Sequence, residues 1–168
     1  NTVIINALLL KTNVKAVNFL ATNIVKDKSG VAKDSFKRVL FNNERIDRGS
    51  TTPTKIDESA IIIGGNIRCY LKLAGTPYFN LDNAEGLLLE GQSGDINKMR
   101  SYFSQLDLLN ILDRMKFVVI GHFSEIKEKG QEDELYKLVQ TYQNKYNFKL
   151  YFTDYVGHHE AVYPFIMN

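Results

Sequence analysis

Between Gly86 and Thr153 short apolar runs alternate with stretches of helical period, and this alternation constrains the fold more than any other feature. Gly86 to Glu90, Phe117 to Phe123 and Phe148 to Thr153 read as strands, too continuously apolar to have a solvated face. Asp95 to Leu106 carries Ile96, Met99, Phe103 and Leu106 on one helical face and could resume as far as Met115. Glu132 to Tyr146 does the same with Leu135, Leu138, Val139 and Tyr142. Strands separated by helical crossovers pair in parallel through right-handed connections. The expected class is therefore α/β: a three-layer-type βαβαβ half over residues 86–168.

The first half reads differently. Thr2 to Leu10 is an apolar run compatible with strand or helix. Asn13 as an N-cap, followed by Val14, Val17, Leu20, Ile24 and Val25, predicts a helix over 14–27 ending near Ser29-Gly30. A second helix is expected over 33–41 and a loop over 42–55. Ala60 to Ile63, Gly64-Gly65-Asn66 and Ile67 to Leu73 have the pattern of a β-hairpin. Residues 1–75 thus form a helix and β-hairpin subdomain, 76–85 a linker rich in turn formers, and 86–168 the βαβαβ half.

Apolar residues never run for the roughly 18 positions of a membrane helix, so no membrane role is expected. The opening residues lack a basic segment and cleavage site, which predicts an intracellular location, cytoplasmic or viral. Cys69 is the single cysteine, which excludes an internal disulfide and any zinc cage built on cysteines. The net charge of +2 divides unevenly: twelve Lys/Arg against eight Asp/Glu in residues 1–85, and nine against eleven in residues 86–168. A basic half beside an acidic one suits a protein holding a polyanion, although ordinary surface variation gives the same split.

Parallel strands joined by helices bring their carboxyl ends to one edge, where ligands bind. Three loops converge there: Glu90 to Asp95, Gly121 to Glu125, and Thr153 to Glu160. They hold all three histidines and several carboxylates, so Ser93, Asp95, His122, Glu125, His158 and Glu160 are candidate crevice residues beside Glu90 and Asp154. Gly91 to Gly94 leading into a helix could cradle a phosphate, without the Walker pattern. The same residues approach a nucleophile elbow, with Ser93 followed in chain order by Asp154 and His158, but Asp95 stands where the final glycine belongs. The histidines could bind a metal, yet adjacent His158 and His159 point apart on a regular backbone.

The order of these loops resembles a Toprim domain, the metal-binding module of bacterial-type primases, type IA topoisomerases and some small nucleases. Leu87 to Gly91 with Asp95 resembles its first motif, Val118 to His122 its second, and Phe152 to Asp154 its third, with Val156 in place of the second Asp. The resemblance implies a Mg²⁺ site at Glu90 and Asp154 and an association with nucleic acid. The missing Asp implies binding rather than catalysis.

Three readings compete. The first is a nucleic-acid-associated protein with a degenerate Toprim-like metal site. The second is a non-enzymatic assembly module of a larger complex, viral ones included, with the apolar tail 161–168 either a contact to a protein partner or a cover for its own core. The third is a small hydrolase dependent on a metal or on Ser93.

Overall fold

The computed structural model describes residues 2–11, 16–42, 56, 59–79, 81–159 and 162–167. Strands β2 (Ile62–Asn66), β3 (Gly86–Gly91), β4 (Phe117–Phe123) and β5 (Lys149–Phe152) form one sheet in the order β2-β3-β4-β5, every pair parallel. The crossovers contain α4 (Ile67–Leu71), α5 (Ile96–Leu108) with a 3₁₀ turn at Leu112–Arg114, and α6 (Ser124–Glu128) with α7 (Glu132–Tyr146). The expected mixed α/β class with its parallel sheet is what forms.

A strand order that advances one position at each step, with right-handed crossovers, sends successive helices to the same face. One core accordingly joins Ile63, Leu87, Leu89, Val118 and Ile120 of the sheet to Met99, Phe103 and Leu106 of α5 and to Leu135 and Val139 of α7. The opposite face needs another cover. It comes from α1 (Thr2–Lys11), whose Ile5 and Leu9 pack there, and from the antiparallel pair of β1 (Ala16–Asn18) and β6 (Phe165–Met167). Phe165 and Met167 meet Ile62, Leu88, Val119 and Tyr151. Leu87, Leu88 and Leu89 are wholly buried between the two layers, and each contributes about 1.5–3 kcal/mol by leaving water.

Two local expectations are corrected. Residues 67–71 are helix rather than the return strand of a hairpin, because Asn66 caps them by accepting a hydrogen bond from the Cys69 amide at 3.2 Å. Most of the helix expected over 14–27 is instead strand β1, a turn and the one-turn α2 (Asn23–Lys26). Pairing of Val17 with Ile166 overrides the apolar spacing, and Val25 is 88% exposed. Of the apolar tail, Val162, Phe165 and Met167 are buried in this chain's own core. Helix α3 (Val31–Leu40) lies where a second helix was expected, and residues 43–55 of the expected loop lie outside the described residues.

Helix α1 completes the edge of the sheet by side-chain chemistry. Asn6 accepts from the Gly64 amide at 2.9 Å and donates to the Gly64 carbonyl at 2.7 Å, pairing the outer side of β2 as a neighbouring strand would. Thr2 Oγ1 accepts from the Asn66 amide at 3.0 Å. Among the described residues no helix is long and apolar enough to cross a membrane.

Candidate active site

The polar residues of interest stand at the carboxyl ends of all four parallel strands. Asn66 ends β2 and is in register with Glu90 near the end of β3, which brings two polar side chains side by side. Beyond Glu90 the β3–β4 register shifts, placing Gly91 opposite Phe123. At that shift a Cβ on Gly121 would come within 3.0 Å of the Glu90 Cβ, so β4 closes over Glu90 with no side chain between them. Glu90 is 4% exposed, a burial that a carboxylate tolerates only with a partner.

The partner is His158, from the loop after β5. Its Nε2 lies 3.2 Å from Glu90 Oε2. This is an ion-pair contact rather than an aligned hydrogen bond, and Oε2 has no other hydrogen-bond partner among the described residues. Asn66 Nδ2 stands 3.4 Å from the same nitrogen. The two contacts belong to different protonation states, since Nε2 receives from Asn66 when bare and faces Glu90 as a donor when protonated. Glu90 lifts the His158 pKa above the ordinary imidazole value, against the opposing effect of burial. A buried carboxylate that favours an imidazolium is what a general base needs behind it, because the charge it gains in taking a proton is already accommodated.

His122 lies beside this pair but belongs to a different contact set. It is 8% exposed, its Nδ1 is 3.7 Å from Asp154 Oδ1, and its ring meets that of His159 edge to face at 4.4 Å. Burial holds its pKa below the ordinary value, the neighbouring His159 and Lys127 charges add to that, and Asp154 opposes it. Its amide donates to the Val156 carbonyl at 2.7 Å, anchoring the His158 loop. Gly157 makes this approach possible: a Cβ there would stand 2.7 Å from that of His122.

The remaining candidates have local partners. Asp95 caps α5 by accepting from the Lys98 amide at 3.1 Å. Glu125 accepts from the Gly94 amide at 2.6 Å and pairs with Lys129 at 2.7 Å, which fixes the β3–α5 loop. Ser93 is exposed on that loop, Glu160 lies outside the described residues, and among the described residues no serine hydroxyl is hydrogen-bonded to His158. Glu90 and Asp154, the pair expected to share Mg²⁺, face different histidines, and Asp154 is 75% exposed. Among the described residues no group of three or more His, Cys, Asp or Glu side chains is arranged to hold a metal ion. Asn66 was missed because Gly-Gly-Asn reads as a turn; its signal is the N-cap position before Ile67.

The chain thus carries a parallel α/β sheet with a buried carboxylate–imidazole pair at its carboxyl edge. Residues 59–168 match the model of the LD-carboxypeptidase C-terminal domain, and the chain belongs to that family. The muramoyltetrapeptide carboxypeptidase of Oxalobacter formigenes has a similar fold, with a TM-score of 0.76 at 19% identity over 99% of this chain and 60% of that one. The microcin C7 self-immunity protein MccF has a TM-score of 0.75 at 15% identity over the same shares. An MccF-like protein from Bacillus anthracis strain Ames has a TM-score of 0.51 at 23% identity, over 64% of this chain and 34% of that one. The chain thus spans about 60% of the length of the first two solved structures. It matches no curated protein. The family membership overturns the Toprim resemblance and the nucleic-acid function it implied, and removes the basis on which magnesium was expected. The strings that carried the resemblance, Glu90-Gly91 at the end of β3 and Gly121-His122 near the end of β4, are too short to separate one parallel α/β family from another.

Proposed function

We propose that this chain supplies the general base of a serine-type LD-carboxypeptidase, with His158 as the base and Glu90 as the carboxylate behind it. The observation that carries this is the 3.2 Å contact between His158 Nε2 and the buried Glu90 Oε2, at the strand ends of a domain in this family. The substrate class follows the relatives' names: a muramoyl peptide whose last residue is joined through an LD bond.

The nucleophile is a serine outside the described residues. An active-site serine, asparagine and lysine are the residues replaced in one structure of MccF, which supports serine chemistry on this fold. His158 takes the serine proton as the hydroxyl attacks the scissile carbonyl, then returns it to the departing amine. With Nε2 turned to Glu90, Nδ1 is the nitrogen that faces away from the carboxylate and exchanges this proton. Glu90 stays ionised throughout and stabilises the imidazolium. Asn66 donates to Nε2 only in the tautomer that carries its proton on Nδ1, whereas the proton-accepting tautomer turns Nε2–H toward Glu90.

In protein produced from the whole coding sequence, Glu90→Gln and His158→Ala should each lower kcat for release of the terminal D-amino acid by about 10³- to 10⁴-fold with little change in KM. Steady-state assay of amino-acid release checks this. Either variant retaining activity within tenfold of the parent would remove the residue from the role.

A further inference from the structure

A base works only if its ring is held where the proton is, and His158 stands on the loop that follows β5 rather than on a strand. Within the loop, Thr153 Oγ1 accepts from the Tyr155 amide at 3.1 Å, and His122 holds Val156 from β4. Neither contact reaches the backbone on the far side of His158. That backbone is held by Asn23, the first residue of α2, whose Nδ2 donates to the His159 carbonyl at 2.5 Å. Asn23 is 3% exposed. A carboxamide is costly at such a depth unless it is hydrogen-bonded, and its donation is directed at the residue that follows His158. Helix α2 is a single turn whose neighbour Val25 is open to solvent, so packing of its apolar residues does not account for the burial of this polar one. Residue 23 also lies outside the stretch 59–168 that matches the family domain.

We propose that Asn23 is a positioning residue for His158: by holding the His159 carbonyl it fixes the backbone from which the imidazole meets Glu90. The loop is then clamped on both sides of His158, by β4 at Val156 and by the N-terminal segment at His159. The domain that carries the base depends on a segment outside it for the base's orientation. This inference rests on the peptidase reading for its kinetic consequence only; the anchoring itself is a property of the folded chain.

The test is an NMR titration of the histidine rings in the protein and in Asn23→Ala and Asn23→Leu, the second keeping the volume without the donor. The His158 pKa should fall back toward the ordinary imidazole value in both variants as the Glu90 contact loosens. In protein from the whole coding sequence the same variants should lose about ten- to a hundredfold in kcat with KM changed less than about threefold. A folded Asn23→Leu protein in which His158 titrates as in the parent overturns the proposal. If both variants fail to fold, exchange of the Asn23 carboxamide protons in the unsubstituted protein decides. Protection supports the hydrogen bond, and exchange at the rate of a free amide overturns it. A shifted His158 titration in a protein that releases no D-amino acid would retire the peptidase reading and leave the anchoring intact.

Discussion

His122 and His158 are both enclosed, yet their surroundings bias them in opposite directions, and the pH dependence of stability should show it. His122 has its pKa lowered from 6.5, so as pH falls below that value the unfolded chain takes up a proton that the folded chain resists, and stability is lost on the acid side. His158 has its pKa raised from 6.5, so its contribution is complete below 6.5 and is lost as pH rises through the folded value. Urea midpoints measured over about pH 5–9 should therefore show a shallower acid limb in His122→Asn and a shallower neutral-to-alkaline decline in His158→Gln. Unchanged limbs would mean that these histidines titrate alike in the folded and unfolded chains. Asn6 makes a simpler residue-scale case. Asn6→Ala leaves the Gly64 amide and carbonyl unpaired in a buried edge and should cost about 1–3 kcal/mol in denaturant unfolding. At this scale Glu90 and His158 are both visible in the chain as polar residues on crevice loops. Their pairing is not, because Glu90 also sits one loop away from Asp154 and nothing in the spacing decides between a histidine and a second carboxylate as its neighbour.

At the scale of elements, periodicity succeeds where an element buries one face or both and fails where another segment imposes the conformation. Helices α5 and α7 and strands β3, β4 and β5 fall within a few residues of where their apolar patterns put them. Segment 62–73 misleads because Gly64 and Gly65, which look like a turn, lie inside a strand. Gly64 has φ +104°, and a Cβ there would stand 2.1 Å from the Leu88 carbonyl oxygen, so its lack of a side chain is what lets β2 close on β3. Gly64→Ala should consequently cost about 2–4 kcal/mol in denaturant unfolding. A loss below about 1 kcal/mol would mean that β2 can shift away from Leu88 without disturbing the sheet. Segment 14–27 misleads for a related reason. Its apolar spacing suits a helix, but β1 must pair with β6, nearly the whole chain away, to cover the second face of the sheet. No local pattern carries that demand.

For the molecule as a whole, the one-directional strand order explains both where the core lies and where the site lies. All crossover helices fall on one face, the opposite face is covered by α1, β1 and β6, and the open carboxyl edge is left for the polar loops. The α/β class and the convergence of loops at that edge were legible in the alternation of strand and helix patterns. The chemistry at the edge was not, since strands ending in Glu-Gly and Gly-His suit a metal site as well as a base and its carboxylate. The division into a basic and an acidic half of the sequence likewise carries no boundary in space, because β2 and α1 of the first half complete the sheet of the second. The most direct measurement is hydrolysis of a muramoyl tetrapeptide with a terminal D-residue, set against the same peptide ending in the L-enantiomer, by protein from the whole coding sequence and by its Glu90→Gln variant. Loss of the D-residue alone, reduced at least about a thousandfold by the substitution, is the expected result. Release that ignores the configuration of the last residue, or that persists undiminished in Glu90→Gln, would contradict it.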